Sequence, residues 1–432
     1  MAKFLSALVC IFFVFGFQTT AAQQSTEQDT LRELMRRIDI LTEEIEKSKL
    51  GEVAETKYES RFGMGPAASR VYQLTKTGVS LAGYGEIVYS NFASELDNGI
   101  ATSQKDQIDY LRHITYFGFR FNDWLLFNSE IEYEHAKTDP SSPGAVSVEF
   151  GYVEAMLNPV INIRAGMVLV PVGIINEFHE PPTYHGSLRP ETEQQIIPTT
   201  WRTNGFGLVG ATQRGFGYRL YVVESLNAAN FSSSGIRSGR QNGAQALAEN
   251  LAISGRLDYT GVSGLDVGGS FFVGNTGQSL SDTSGNELDA RLSLFSVHFM
   301  FARKGMELRG LFVQSTISDV AELNAVRAFS GANSIGEKQQ GYYFTLAYDV
   351  LPHLMTGTTH YLAPFVQYEK LNTQTEVPAG FAKNLTRERS NLSFGLTYKP
   401  HPNVAFKVDY INRDNEANSA LDQFNVAVNY LF

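Results

Sequence analysis

From residue 79 to the C-terminus, segments of about ten residues carry apolar or aromatic side chains at every second position. In the last of them, DQFNVAVNYLF, Phe424, Val426, Val428, Tyr430 and Phe432 alternate with Gln423, Asn425, Ala427, Asn429 and Leu431. A strand points successive side chains to opposite faces, so one face here is apolar and the other mostly polar or small. NVAFKVDYINR sets Val404, Phe406, Val408 and Tyr410 against Lys407, Asp409 and Ile411, which puts charge where a water-filled lumen would lie. SNLSFGLTYK has Leu392, Phe394, Leu396 and Tyr398 on one face, and QGYYFTLAYD has Tyr342, Phe344, Leu346 and Tyr348. A soluble sandwich also alternates. Strands of about ten residues with aromatics towards their ends fit the girdles of a transmembrane barrel better.

The pattern predicts an all-β fold, an antiparallel transmembrane β-barrel of about 16 strands, occupying residues 79–432. The expected strands are 79–92, 106–121, 124–134, 145–158, 161–169, 205–212, 217–225, 250–260, 264–275, 289–303, 305–316, 340–350, 358–370, 389–399, 403–413 and 421–432. Short turns at Asn122-Asp123, Asn158-Pro159, Arg303-Lys304-Gly305 and Pro400-His401-Pro402 alternate with long connections at 226–249, 276–288, 317–339 and 371–388. Pro364 lies inside a predicted strand and implies a bulge or a shifted boundary.

The N-terminal residues read differently. Lys3, an apolar run from Phe4 to Phe17 and then Thr20-Ala21-Ala22 follow the order of a secretory signal peptide, predicted over 1–22. Cys10, the one cysteine, falls within it, so the mature chain has no disulfide or thiolate metal site. Leu31, Leu34, Ile38, Leu41 and Ile45 form a heptad seam within 23–50. A seam this short suits a periplasmic coiled coil joining subunits, or an amphipathic helix lying on its own barrel. Residues 51–78 read as a linker, broken by Gly63, Gly65 and Pro66. The formal net charge of −10 argues against nucleic acid as a partner. Beyond the signal, no apolar run is long enough for a transmembrane helix.

Three stretches, LAGYGEIVYSNF (81–92), FNDWLLFNSEIEYEHA (121–136) and RAGMVLVPVGIINEFHEPPTYHG with IIPTTWRTNGFG (164–186 and 196–207), resemble porins of the phosphate-selective (O and P) superfamily. The resemblance covers most of 79–230 and implies a homotrimeric porin of the bacterial outer membrane, bounded by lipid, with a loop folded into each pore. It does not carry phosphate over by itself. Segment 171–204 holds Arg189 and Arg202 as its only arginines and no lysine.

That segment concentrates the polar chemistry of the chain. Pro171, Pro181, Pro182, Pro190 and Pro198 stiffen it, and Ile174-Ile175, Ile196-Ile197 and Trp201 offer apolar anchors. A long connection with anchors is functional more often than disordered. Glu177, His179, Glu180, His185, Arg189, Glu191, Glu193 and Arg202 are therefore candidate constriction residues, with an external lid as the competing placement. A zinc motif does not fit, because Pro181-Pro182 forbid the helix that would align His179 with His185. On the expected strands Arg112, Arg120 and Arg164 face inward, as do Glu130, Glu132 and Glu134, a segregation that would set up a transverse field. Lumen strands also carry charge simply because they are wet. Ser129, Ser147 and His135 form no recognisable nucleophile motif. The sequence thus predicts a channel for passive diffusion of small hydrophilic solutes or ions, without enzymatic activity, cofactor or metal. The alternative is a structural protein tethering the envelope through its N-terminal helix.

Overall fold

The computed structural model describes residues 35–37 and 60–432. The chain divides into Met1–Lys57 and Tyr58–Phe432. Of the first unit, residues 35–37 are described and are helical. The predicted signal peptide, the seam residues Leu31, Leu34, Ile38, Leu41 and Ile45, and the first part of the linker lie outside the described residues.

The second unit is a closed barrel of 16 strands. They are β1 (Gly78–Phe92), β2 (Gln107–Arg120), β3 (Leu125–Glu134), β4 (Val146–Met156), β5 (Asn162–Leu169), β6 (Arg202–Ala211), β7 (Phe216–Glu224) and β8 (Leu251–Tyr259), followed by β9 (Leu265–Gly274), β10 (Leu292–Arg303), β11 (Met306–Ile317), β12 (Lys338–Tyr348), β13 (Tyr361–Glu376), β14 (Glu388–His401), β15 (Val404–Asn415) and β16 (Gln423–Leu431). Each pairs antiparallel with its sequence neighbours, and β1 pairs with β16 from Tyr84–Leu431 to Phe92–Gln423. Gly83 and Phe432 complete the closure by exchanging backbone hydrogen bonds of 3.0 and 2.9 Å. Closure satisfies every strand edge internally, as a hydrocarbon surrounding requires. Among the described residues no helix is long and apolar enough to cross a membrane.

The alternating residues sort as the sequence predicts. Gln423, Asn425, Ala427, Asn429 and Leu431 point inward and are buried, whereas Val426 and Phe432 are exposed outside. Leu81, Phe206, Leu257, Val297, Phe344 and Phe406 continue the exposed apolar belt around the wall. A contiguous belt of this kind marks a lipid-facing surface. Strand ends differ from expectation chiefly at β6, which starts at Arg202, and at β13, which runs on to Glu376. Pro364 causes no bulge. The β12 ladder ends at Ala347–Phe365, so the proline is paired only with Leu396 of β14, and its missing N–H is not required on the β12 side.

The end of the predicted linker is not loose. Residues 60–77, here called the lumen strap, enter the barrel before β1. Met64, Ala67, Ala68 and Val71 are each at most 3% exposed and belong to the same apolar core as Ile114, Tyr116, Leu126 and Phe150 of the inner wall. Val71 lies over Gly118, where a Cβ would come within 2.7 Å of it. Burying one valine or methionine side chain is worth about 1.5–3 kcal/mol, enough to hold a short segment that has no regular ladder of its own.

Candidate functional site, a loop across the lumen

Between β5 and β6 the chain does not turn over the barrel rim. Residues 170–201, the lumen loop, cross the interior and are fixed on the far wall by side chains of four other strands. Lys407 of β15, fully buried, donates to the carbonyls of Pro181 and Gly186 at 2.8 Å each. Asp409 accepts from the Ser187 N–H at 2.7 Å, and Glu369 of β13 from the Thr192 N–H at 2.9 Å. Arg309 of β11 donates to Thr183 O at 2.8 Å, and Tyr343 of β12 donates to Glu193 at 2.6 Å. Closer to the loop's origin, Arg256 of β8 donates to Gly173 O. A loop buried this deeply has backbone groups that water cannot reach, and these side chains satisfy them.

Two glycines let the loop pack so closely. Gly173 has φ +76°, and a Cβ there would stand 2.5 Å from Glu193. Its absence lets the Glu193 carboxylate accept from the N–H groups of Ile174 and Ile175 at 2.8 and 2.7 Å. Gly65 of the strap plays the same part for Glu180, whose carboxyl carbon would lie 2.4 Å from a Cβ. Glu180 accepts from the N–H groups of Ala67 and Ala68 at 3.1 and 2.8 Å.

The candidate constriction residues therefore lie in the lumen, but most of their charges are spent on structure. Glu177 pairs with Arg219 at 3.0 Å. Glu180 and Glu193 are fully buried on backbone donors. Glu191 pairs with Arg389 at 3.2 Å and lies 3.6 Å from Arg413. His179 meets Glu130 at 3.1 Å, His185 meets Glu307 at 3.1 Å, and Arg202 pairs with Glu149. Arg189 differs. Its guanidinium lies 3.5 Å from Tyr84 Oη, it forms no ion pair among the described residues, and its Nε has no hydrogen-bond partner.

Burial moves the loop's titrations. Glu180 is pushed up to about 7 because it is desolvated, against the pull of the Ala68 and Ala67 N–H groups. Glu193 is also raised by burial. For His179 burial favours the neutral ring, yet Glu130 outweighs it and the pKa is raised; for His185 burial prevails over Glu307 and it is lowered.

The charges of the wall pair with their neighbours rather than segregating. Arg112 contacts Glu86 at 2.7 Å and Glu132 at 3.4 Å, and Arg164 contacts Glu154 at 2.8 Å. Glu130 is taken by His179, and Glu134 sits opposite Arg112 in the β2–β3 ladder. Arg120 serves the turn end instead, donating to Asn122 O and Asp123 O at 3.2 and 3.0 Å and to Leu74 O. The expected transverse field is thus replaced by local pairs, because a partly desolvated charge is costly unless its counterion is adjacent.

Loop and strap divide the interior. On the turn side a cavity of about 710 Å³ is lined by Phe62, Gly63 and Tyr72 of the strap, by Arg219 and Arg256, and by turn residues such as Asn158 and Thr260. On the loop side a cavity of about 280 Å³ is lined by Arg112, Arg189, Gln194, Glu369 and Arg413. The two share no lining residue. Asp258, Asp266 and His298 place three potential ligand atoms within 4.8 Å of one another. Arg256 and Arg219 already donate to Asp258, and Arg256 Nη2 lies 2.8 Å from His298 Nε2, so guanidinium groups fill the place of a cation.

Sequence reading missed the strap and the arginines of loop 225–250. Arg237 donates to Gln194 O and Thr199 O, and Arg240 to Pro198 O and Thr200 O, holding the end of the lumen loop. The small residues of Gly63-Met64-Gly65-Pro66-Ala67-Ala68-Ser69 were the visible signal of close packing. Nothing local in Arg237 or Arg240 distinguishes them from solvated charges.

A closed 16-strand barrel with an apolar outer belt and a loop drawn into its lumen has the fold of bacterial outer-membrane porins. Among solved structures it is similar to the anion-selective porin from Comamonas acidovorans (TM-score 0.52, 11% identity, 83% of this chain and 100% of that one). It is also similar to Salmonella typhi OmpF, solved with daunomycin (0.52, 15%, 83% and 98%), and to the outer membrane channel DcaP of Acinetobacter baumannii (0.51, 11%, 83% and 98%). No family model matches the chain. Over 395 residues it is 37% identical to an uncharacterized protein of Aquifex aeolicus (strain VF5), spanning 89% of this chain and 87% of that one, and it belongs to that protein's family.

Proposed function

We propose that the protein is an outer-membrane porin, a channel for passive diffusion of small hydrophilic solutes or ions, in which the lumen loop is the constriction. The observation that carries this reading is the path of residues 170–201 from β5 across the interior to Lys407, Asp409 and Glu369. Membrane barrels are built around such a lumen, and whatever narrows it decides what passes. Within the constriction the four glutamates act as clamps, and Arg189 is the charge left to meet a solute. The preference is therefore for small anions. Phosphate specialisation is not part of the proposal, since Arg202, the other cation of the segment, is taken by Glu149.

The assembly we propose is a homotrimer with residues 23–50 as a periplasmic coiled coil. Outside β1–β3 the apolar belt is interrupted by Gly83, Gly85 and Thr115 and by the hydrogen-bonded set Tyr110, His113 and Tyr430, a surface suited to a neighbouring subunit.

Reversal potentials in a salt gradient across a planar bilayer test the selectivity. The wild type is expected to prefer anions, and Arg189→Gln to shift the reversal potential towards cations. A wild type and variant with the same reversal potential would remove Arg189 from the pathway.

A further inference from the structure

We infer that the lumen strap is a plug: residues 60–74 close part of the pore on the turn side, and their release from Glu180 opens it. The inference goes beyond the channel reading, which needs only the loop. The strap is held at three points. Glu180 clamps the Ala67 and Ala68 N–H groups from the lumen loop, and Asn128 of β3 donates to Ala68 O at 2.9 Å. The Tyr72 hydroxyl lies 2.7 Å from Glu154 and receives Arg164 Nη2 at 3.0 Å. At the far end Arg120 donates to Leu74 O. These contacts join the strap to the inner wall at β2–β5 and to the constriction loop. Neither side of the barrel needs the strap for its hydrogen-bond ladder, because β1 to β16 close without it.

The strap also stands in the solute's way. Phe62, Gly63 and Tyr72 form part of the wall of the large turn-side cavity, opposite Arg219 and Arg256. Gly63 packs so close to Arg219 that a Cβ there would lie 2.6 Å from its guanidinium. Withdrawing the segment would join the volume it fills to that cavity. Glu180 is the positioning residue where strap and loop meet.

The test compares single-channel conductance in planar bilayers for the full chain, for the full chain lacking residues 60–74, and for Gly65→Val. In the last, the new side chain would collide with the Glu180 carboxyl group and displace the strap without removing it. Barrel closure is checked in each by heat-modifiable migration on gels. Both variants are expected to conduct several-fold more than the wild type, and a silent wild type with conducting variants would support the plug equally. If the deletion does not fold, Gly65→Val carries the comparison alone. A conducting wild type matched by folded variants of equal conductance would overturn the plug while leaving the channel intact. Silence from all three folded proteins would overturn both.

Discussion

Glu180 shows how much one buried carboxylate determines here. It lies against His179, with Glu130 beyond, and its two oxygens are occupied by the strap. Burial lifts its pKa from the ordinary carboxylate range to about 7, against the strap's two N–H groups, which lower it, so the buried group takes up a proton. For a pKa raised by burial, the stabilisation of the buried arrangement is complete below the ordinary carboxylate range and is lost as pH rises through about 7. Conductance of the wild type is therefore expected to rise between about pH 5 and pH 8. Glu180→Gln, which keeps the size of the side chain but does not titrate, should remove the step. A wild-type conductance independent of pH over this range would contradict the assignment. The two loop histidines do not titrate together, since Glu130 holds His179 towards its charged form while burial keeps His185 neutral. The sequence showed which charges the segment contains. It did not show their partners, because Arg219, Glu130, Glu307 and Arg389 arrive from strands distant in the chain.

At the scale of elements, strands were legible because lipid outside and a polar interior impose a period of two that no local exception hides. Boundaries moved where a strand outruns that signal: β13 continues through Asn372-Thr373-Gln374-Thr375-Glu376, polar residues that read as loop. The strap was illegible as structure for a related reason. It has neither helical nor strand periodicity, and its fit depends on glycines facing Glu180 and Arg219. Phe432, on the apolar face that the sequence did expose, has an element-level role. Phe432 ends the lipid-facing row of β16, its ring stacks 6.2 Å from His113, and its backbone closes the barrel on Gly83. In Phe432→Asp a charge near the membrane interface costs directly only about 0–1 kcal/mol. Assembly in cells should fall by more than this predicts, with a nearly unchanged urea midpoint for the protein refolded into lipid. Surface levels equal to wild type would show that this aromatic is not read during assembly.

The whole molecule combines a wall that the sequence specifies residue by residue with an interior that it specifies only through long-range contacts. Sixteen strands fix the outer surface, and a loop and a strap, each lacking a period of its own, set what is left open inside. The central claim is that residues 170–201 obstruct a conducting barrel. Lys407, Asp409 and Arg309 hold the middle of that loop, so excising 178–188 with a Gly-Ser bridge removes the obstruction and its far anchors together. The most direct measurement is the single-channel conductance of this excision beside the wild type, in protein shown by heat-modifiable migration to keep its barrel. A clear rise in conductance is the predicted result, and an unchanged conductance would contradict the placement of the constriction in the lumen loop.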